Sequence, residues 1–359
     1  MKIYTKIIGT GSCIPARKIT NSHFLDYDFF DPAKKVKFDR SNEEIVSKFE
    51  EITNIKERRW VNDDQVNSDL ATIAARKAIK DANIDPETID FIVSAHNFGD
   101  VAHGRTNVDT LPGLANRIKL KLGIENPSCA CFDQISGCPG WTQAMITADA
   151  YLRSETYKRG LIIGSDTLSR VSDPHDRDTM IFADGAGAAI VEAVASKEPM
   201  GIIAHASRSD VDPYADLLTF GPSLNPDYQG NDQFIKMAGH RLYVYALKHA
   251  PKLVKESIDK AGLDLKDIKK VLIHQANEKM DEAILKGLFS LYGKKHVPFS
   301  DIMPMTIEKL GNSSTATVPT LLDIVAHGEM DDHVIREGDY IVLCSIGAGM
   351  NINSIIYKW

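Results

Sequence analysis

A cysteine with the surroundings of a nucleophile lies in the stretch ISGCPGW, residues 135–141. The following residues, 142–152, are amphipathic with a helical period, and Pro139 suits a first helical turn because no backbone N–H is needed there. Cys138 is therefore predicted at a helix N-terminus, where the dipole and free N–H groups favour a thiolate. A buried structural cysteine is the alternative, and position alone does not separate the two.

Two polar residues in the second half of the chain could complete a site. His274 ends the apolar run KVLIH, and the carboxyl ends of strands in an α/β sheet face the ligand crevice. Asn312 lies in LGNSST, a loop before a predicted helix. Taken singly, each also fits a structural role, as a core histidine or as a turn or N-cap residue. The sequence GAG at 347–349 follows another apolar strand, where a glycine could present an N–H to an oxyanion or simply turn the chain.

Other chemical signatures are weak. The sequence GAGAA at 185–189 lacks the third glycine of a dinucleotide-binding fingerprint and runs into a strand. Cys129 and Cys131 have no paired CxxC or histidine ligands, which argues against a zinc site. The chain has no P-loop and no Gly-x-Ser-x-Gly elbow.

Composition indicates an ordinary globular protein. The 359 residues are 43% hydrophobic and 25% charged, which excludes disordered and collagen-like classes. A net charge of −7 argues against a nucleic-acid binder. Five cysteines are too few for a disulfide scaffold, and no signal peptide or long apolar run is found. We therefore expect a cytoplasmic protein that does not enter a membrane.

The elements that must position the candidate residues form a repeat. The stretch that begins at Ala78 resembles the one that begins at Ser257, at an offset of 179 residues. The same offset aligns RGLIIGSD with GDYIVLCS and DQISGCPG with NSSTATVP. Any two αβ units share some likeness, but one offset across three segments predicts a duplication. We place the two halves at 1–195 and 196–359.

Apolar runs separated by helical patterns predict the layout of each half. The helical patterns include 68–82 and 241–261, and residues 21–60 are irregular apart from a short helix near 42–51. Continuous apolar runs predict mostly parallel sheets covered by helices on both faces. These runs lie at 6–11, 90–95, 160–166, 186–194, 270–275 and 340–346.

Taken together, the motifs resemble the thiolase superfamily, and most closely the 3-oxoacyl-ACP synthase III family. The similar segments follow one another through nearly the whole chain: IIGTGSCIP, TNIKERRW, DQISGCPGW, GSDTLS, FADGAGAAIVEA, IHQAN, GNSSTATVP and GAGMNINSIIYKW. The resemblance implies an α/β fold of five layers, αβαβα, built from two duplicated halves. It also implies a homodimer.

The resemblance assigns roles to the candidate residues. Cys138 would be the acyl-accepting nucleophile, His274 and Asn312 the decarboxylation pair, and the N–H groups of Cys138 and Gly349 the oxyanion hole. The implied reaction condenses the acyl group with malonyl-ACP, with loss of CO₂, to give 3-oxoacyl-ACP as in fatty-acid initiation. Acyl-CoA or acyl-ACP would be the donor and acyl carrier protein the partner, with no bound cofactor or metal.

Departures from the family pattern concern the acyl donor. The chain is longer than a typical member at 21–52 and 98–110. Glu44 stands where the family often has a Trp that stacks on the CoA adenine, and Leu111 where many members place a Phe in the acyl pocket across the dimer interface. A longer or branched acyl group is therefore plausible. This leaves open a condensing enzyme or acyltransferase of secondary metabolism that forms polyketides, alkylresorcinols or ketones.

Docking of an acidic carrier protein would need a basic patch on this acidic chain. Lys279, just after the IHQAN motif, is the candidate, with Arg241 and Lys236 as weaker ones.

Two rival classes explain less of the sequence. A silent binding subunit would be expected to lack the nucleophile, and a nucleotide-dependent dehydrogenase would leave Cys138, His274 and Asn312 unexplained.

Overall fold

The computed structural model describes residues 1–294 and 299–359, and its strands form two main sheets and two small ribbons. The strands are β1 (Lys2–Cys13), β2 (Arg17–Thr20), β3 (Glu57–Trp60), β4 (Phe91–Ala95), β5 (Ala130–Gln134), β6 (Arg159–Thr167), β7 (Asp184–Ser196), β8 (Gly201–Ser209), β9 (Leu218–Gly221), β10 (Phe234–Met237), β11 (Ile268–Ile273), β12 (Tyr340–Gly347) and β13 (Asn351–Lys358). The ribbons pair β2 with β3 and β9 with β10.

Helices alternate with the strands, and the predicted ones are present. The α-helices are α1 (Asn42–Thr53), α2 (Asn67–Asp81), α3 (Leu114–Leu122), α4 (Gly140–Arg153), α5 (Gly239–Lys260), α6 (Glu278–Leu291), α7 (Ile307–Leu310) and α8 (Thr317–Ala326). None of the helices in the described ranges is long and apolar enough to cross a membrane.

The two main sheets repeat one topology, which confirms the duplication. The first has the order β1-β7-β6-β4-β5 and the second, read from its other edge, β8-β13-β12-β11. In both, the first two pairings are antiparallel and the third is parallel. The first sheet adds β5, which is parallel to β4. The repeated sheets do not fix the residue at which one half ends and the other begins. The boundary between residues 195 and 196 therefore stays a prediction.

The expectation of mostly parallel sheets is wrong. Of the pairings in the main sheets within the described residues, only β6–β4, β4–β5 and β12–β11 are parallel. Strands β7 and β13 return antiparallel beside their predecessors in the chain. A strand buried on both faces is apolar in either direction, so its sequence does not show which way it runs.

The packing gives five layers. Helices α4 and α8 lie between the sheets, in a core that contains Trp141, Leu321 and strand residues of both halves. Helices α2 and α3 cover the outer face of the first sheet, and α5 and α6 that of the second. The αβαβα prediction is confirmed. The central helices matter for function, because the loops that lead into α4 and α8 carry Cys138 and Asn312.

Residues 21–60 form a cap with its own small core. Phe24 and Phe29 are buried there with apolar residues of α1. The guanidinium of Arg58, fully buried, donates to the carbonyls of Met180 and Ile19. The cap is thereby attached to the segment that leads into β7, which also touches the loop of Asn312.

Candidate active site

Cys138 lies two residues before α4, with Pro139 at the N-cap position. The end of β12 packs directly against it. A side chain at Gly347 would place its Cβ 2.8 Å from both the Cβ and the backbone nitrogen of Cys138, so only glycine fits there. The cysteine is partly exposed and forms no disulfide.

His274 directly follows β11, as predicted, and only 2% of it is exposed. Its N–H donates to the carbonyl of Cys344 at 2.9 Å, which continues the parallel pairing with β12. Burial lowers the pKa of His274 to about 4, while a hydrogen bond with the backbone of Ser314 opposes this shift. The imidazole is therefore neutral near pH 7.

Asn312 lies in the loop between α7 and α8 and is 6% exposed. Its N–H donates to the Ile181 carbonyl at 3.0 Å, and its carbonyl accepts from the Ala183 N–H at 2.8 Å. The side-chain oxygen Oδ1 accepts from the Ser314 N–H at 2.8 Å. Within the described residues its amide nitrogen Nδ2 has no hydrogen-bond partner, so this donor group is free to bind a ligand.

Ser314 joins the three candidate residues. Its hydroxyl lies 3.2 Å from the Cys138 sulfur, its N–H binds Asn312, and its backbone acts on His274. The structure thus brings together Cys138, His274 and Asn312 from three separate segments. Sequence reasoning missed Ser314, although the GNSST motif contains it.

A second group of polar side chains supports Ser314. Asn97 Nδ2 lies 2.7 Å from the Ser314 hydroxyl and 2.8 Å from Asp166 Oδ2. Asp166, fully buried, also accepts from the Thr315 hydroxyl at 2.7 Å. These residues were missed too. Their positions could have identified them. Asn97 and Asp166 lie at the carboxyl ends of the neighbouring parallel strands β4 and β6, where ligand sites concentrate.

The surroundings of the Cys138 sulfur favour the protonated thiol, which opposes the thiolate expected at a helix N-terminus. Burial raises the pKa of Cys138 to about 12; the hydrogen bond from Ser314 opposes this, and the Asp166 carboxylate adds to it. Loss of water around the sulfur therefore outweighs the helix N-terminus. A reaction at this sulfur therefore has to remove the thiol proton.

The loop after β12 offers backbone donors. A Cβ on Gly137 would lie 2.8 Å from the backbone nitrogen of Ala348, so this N–H borders the cysteine loop. Gly349 has a left-handed φ of 73°, and a Cβ there would meet Asn351. The role of the Gly349 N–H stays a prediction, with the Ala348 N–H as a second candidate.

The residues predicted for the acyl pocket and for carrier docking lie at or near the protein surface. Leu111 is 88% exposed, so an acyl-pocket role would require a second subunit and stays a prediction. Lys236 pairs with the buried Asp173 at 2.5 Å, and Arg241 pairs with Asp216 at 3.0 Å. Their charges are thus partly neutralised within the chain.

Lys279 lies in a groove of about 810 Å³ between α1 and α6. It is exposed, but carboxylates surround it. The acidic residues that line the groove are Glu43, Glu50, Glu51, Glu278 and Glu282. The predicted basic docking point therefore lies on an acidic surface.

Comparison with known proteins gives one family. Residues 132–211 match the family 3-oxoacyl-[acyl-carrier-protein (ACP)] synthase III. Residues 258–359 match the C-terminal domain of the same family. Beta-ketoacyl-[acyl-carrier-protein] synthase III 1 of Vibrio parahaemolyticus is 35% identical over 360 residues, 99% of this chain and 100% of that protein. The Vibrio vulnificus protein of the same name is 34% identical over 361 residues, with the same coverage.

Solved structures agree with the sequence comparison. The 3-oxoacyl-[acyl-carrier-protein] synthase III of Aquifex aeolicus superposes with a TM-score of 0.77 at 28% identity, over 99% of this chain and 100% of that one. The Pseudomonas aeruginosa enzyme gives 0.80 at 25%, over 99% and 98%. Xanthomonas campestris OleA, at 18% identity and a TM-score of 0.77 over 99% of both chains, shares the fold.

Proposed function

Because the chain belongs to the 3-oxoacyl-[acyl-carrier-protein] synthase III family of the thiolase superfamily, we propose that its site joins a Cys138-bound acyl group to malonyl-ACP. The chain is an acyltransferase of this type, and its products are 3-oxoacyl-ACP and CO₂. The observation that carries the residue assignment is the convergence of Cys138, His274 and Asn312 on Ser314. The function is the initiation of fatty-acid synthesis.

In the first step the Cys138 sulfur attacks the carbonyl of an acyl thioester. A new S–C bond forms, the thioester C–S bond breaks, and the acyl group stays on the enzyme. The thiol proton is given up as the S–C bond forms, and the departing thiolate takes up a proton, so the step consumes no net proton. With its pKa lowered to about 4, His274 stays neutral and acts as a hydrogen-bond partner rather than as a strong base for this thiol.

In the second step malonyl-ACP loses CO₂. The bond to the carboxylate breaks, and its electron pair becomes an enolate whose oxygen accepts hydrogen bonds from the His274 imidazole and the Asn312 amide. The free Nδ2 of Asn312 supports this assignment. The enolate carbon then attacks the acyl carbonyl on Cys138, a C–C bond forms, and the C–S bond breaks. The sulfur leaves as a thiolate and takes a proton from solvent water, which restores the free thiol.

The acyl carbonyl becomes an oxyanion during both steps. We assign its stabilisation to the Cys138 N–H together with a donor from the loop 347–349, either Gly349 or Ala348. The close packing of Gly347 on Cys138 supports the proximity of this loop. Preorganised N–H donors of this kind are each worth about 10²–10³ in rate.

A second candidate function uses the same catalytic residues with a different first acyl group. A non-acetyl acyl group, used in secondary metabolism, is favoured by Glu44 in place of an aromatic platform and by the acidic groove between α1 and α6. Leu111 in the acyl pocket would further alter chain-length preference.

The partners we propose are a carrier protein at Lys279 and a second copy of the chain. Within the described residues β5 pairs on one side with β4, which leaves its other edge open. Ile135, just after β5, is 63% exposed, and Leu111 is exposed as well. An open edge beside exposed apolar residues supports dimerisation there. We also propose a cytoplasmic enzyme whose substrates are acyl-CoA and malonyl-ACP and which works without a bound cofactor.

Intact-protein mass spectrometry with acyl-CoAs and acyl-ACPs of increasing length tests the function. We expect one adduct on Cys138 that disappears when malonyl-ACP is added, with release of 3-oxoacyl-ACP. Cys138→Ala should take no adduct, whereas Cys131→Ala, which alters a partly exposed thiol on β5, should behave as wild type. An adduct on Cys138→Ala, or none on the wild type with any donor, would refute the proposal.

A further inference from the structure

Ser314 contacts each of the three residues assigned to the reaction, which suggests a role beyond filling space. We propose that Ser314 is a positioning residue whose hydroxyl donates a hydrogen bond to the Cys138 sulfur, in a direction set by Asn97 and Asp166. This inference rests on the proposed role of Cys138. It concerns how the sulfur is held and activated, and it adds no group that touches the acyl substrate.

The direction of the hydrogen bond follows from the donors and acceptors around Asn97. The Asp166 carboxylate accepts the Asn97 backbone N–H at 2.9 Å and its Nδ2 at 2.8 Å, so the amide group turns its NH₂ toward Asp166. The second hydrogen of Nδ2 points to the Ser314 hydroxyl, 2.7 Å away. A hydroxyl has a single proton to donate, and one that accepts from Asn97 keeps its proton for another partner. The Cys138 sulfur, at 3.2 Å, is that partner.

The orientation of Asp166 is itself fixed. Its Oδ2 accepts from the Thr315 hydroxyl at 2.7 Å and from the Thr315 N–H at 3.2 Å. With backbone and side-chain donors on both sides, the carboxylate cannot rotate without losing hydrogen bonds that water cannot replace in this buried position. The fixed Asp166 carboxylate therefore orients the Asn97 amide, and the Asn97 amide orients the Ser314 hydroxyl.

The backbone of Ser314 gives a second, independent indication. Its φ is 54°, in the left-handed region that residues other than glycine seldom adopt. Glycine would fit this conformation without strain but would lack the hydroxyl. The conformation directs the Ser314 N–H to Asn312 Oδ1 at 2.8 Å while the hydroxyl faces Cys138. Strain held at such a junction is typical of functional sites.

A hydrogen bond donated to sulfur is stronger when the sulfur is a thiolate. It therefore favours ionisation of Cys138, against burial and the nearby Asp166 charge, which oppose it. Without the Ser314 hydroxyl, Cys138 should lose its proton less readily. The sulfur should also be less well placed for attack.

Alkylation of Cys138 by iodoacetamide between pH 6 and 10 tests the inference directly, because this reagent needs neither acyl donor nor carrier protein. Ser314→Ala should alkylate about tenfold more slowly at pH 7 to 8, and its pH profile should move to higher pH. Ser313→Ala is the matched control. It removes the neighbouring hydroxyl, which lies 3.3 Å from that of Thr317, and should keep the wild-type profile.

Ser314→Gly provides a second variant that also lacks the hydroxyl but relieves the left-handed backbone, so added backbone strain cannot explain its behaviour. It should show the same displaced profile. Wild-type profiles in both Ser314 variants would overturn the inference, and so would an equal displacement in Ser313→Ala. Failure of the proposed function is detected separately, as the absence of an acyl adduct on the wild-type protein.

Discussion

Two uncharged groups share the surroundings of Ser314 at rest: a thiol whose pKa is raised to about 12 and an imidazole whose pKa is lowered to about 4. Burial is the main cause of both shifts. A thiolate–imidazolium pair would have to be desolvated in the same space, and that cost opposes its formation. In the proposed acylation the thiol proton therefore leaves as the S–C bond forms, rather than through a stable ion pair with His274. The proposed condensation uses a neutral His274, and the lowered pKa keeps this imidazole neutral near pH 7.

At the same scale, the free amide of Asn312 predicts a step-specific defect. Asn312→Ala should still acylate Cys138 and should lose about 10²–10³ in condensation, because one enolate donor is gone. Asn312→Asp should show the same pattern while keeping an oxygen for the Ser314 N–H. Acyl-enzyme mass and 3-oxoacyl-ACP release, followed in one quenched reaction, separate the steps. Equal loss of both steps would make Asn312 structural.

Helices α1 and α6 illustrate a conflict at the scale of elements. Both begin with acidic residues, Glu43 and Glu44 in α1 and Glu278 in α6, which interact favourably with the helix dipoles. Two of these carboxylates, Glu43 and Glu278, also line the groove around Lys279. The carboxylates that stabilise the helix N-termini therefore repel an anionic carrier protein at this surface.

The groove predicts opposite effects of two charge changes. Glu282→Gln removes a negative charge and should lower the KM for malonyl-ACP about two- to threefold, whereas Lys279→Glu should raise it about tenfold at low salt. The turnover number should change little, because neither side chain is placed at the reacting atoms. Steady-state kinetics at two salt concentrations provide the measurement. Glu329→Gln, in an exposed turn, serves as control. An unchanged KM in Lys279→Glu would place carrier docking elsewhere.

At the scale of the whole molecule, the second half carries a buried acid that costs stability. Asp281 lies on α6, fully buried, and neither carboxyl oxygen has a partner within the described residues. Burial, with a contribution from the charge of Glu278, raises its pKa well above the ordinary range. The folded chain thus keeps a proton that the unfolded chain releases. Stability from this group is present at low pH and is lost as pH rises.

Asp281→Asn should therefore stabilise the protein in a pH-dependent way. An amide resembles the protonated acid, so the gain in stability should be smaller at pH 5, close to the pKa of the unfolded side chain, than at higher pH. At pH 9 we expect a gain of about 1–3 kcal/mol in the free energy of unfolding, since a buried carboxylate without partners no longer forms. Calorimetry at both pH values tests this, with the exposed Asp331→Asn as control. A shift of equal size at both pH values would contradict it.

Local patterns along the chain were enough to predict its elements, its duplication and the candidate residues. The apolar runs and helical periods predicted the strands and helices, and the offset of 179 residues predicted the duplicated halves. Cys138, His274 and Asn312 each lie at the junction of a strand or loop with a helix, within a short motif that can be recognised in isolation. Burial preference and element type depend on residues that are close in the sequence, so they can be predicted without knowing the fold.

The contacts between distant segments could not be predicted from local patterns, because they depend on tertiary packing. The contact of Ser314 with Cys138 joins residues 176 positions apart, and that of Asn97 with Ser314 joins residues 217 apart. Strand direction, the protonated thiol and the acidic groove were likewise not predicted. These depend on how sheets and helices pack, which sets distances and excludes water between residues far apart in the chain. A motif supplies the functional groups, and packing determines their partners and their pKa.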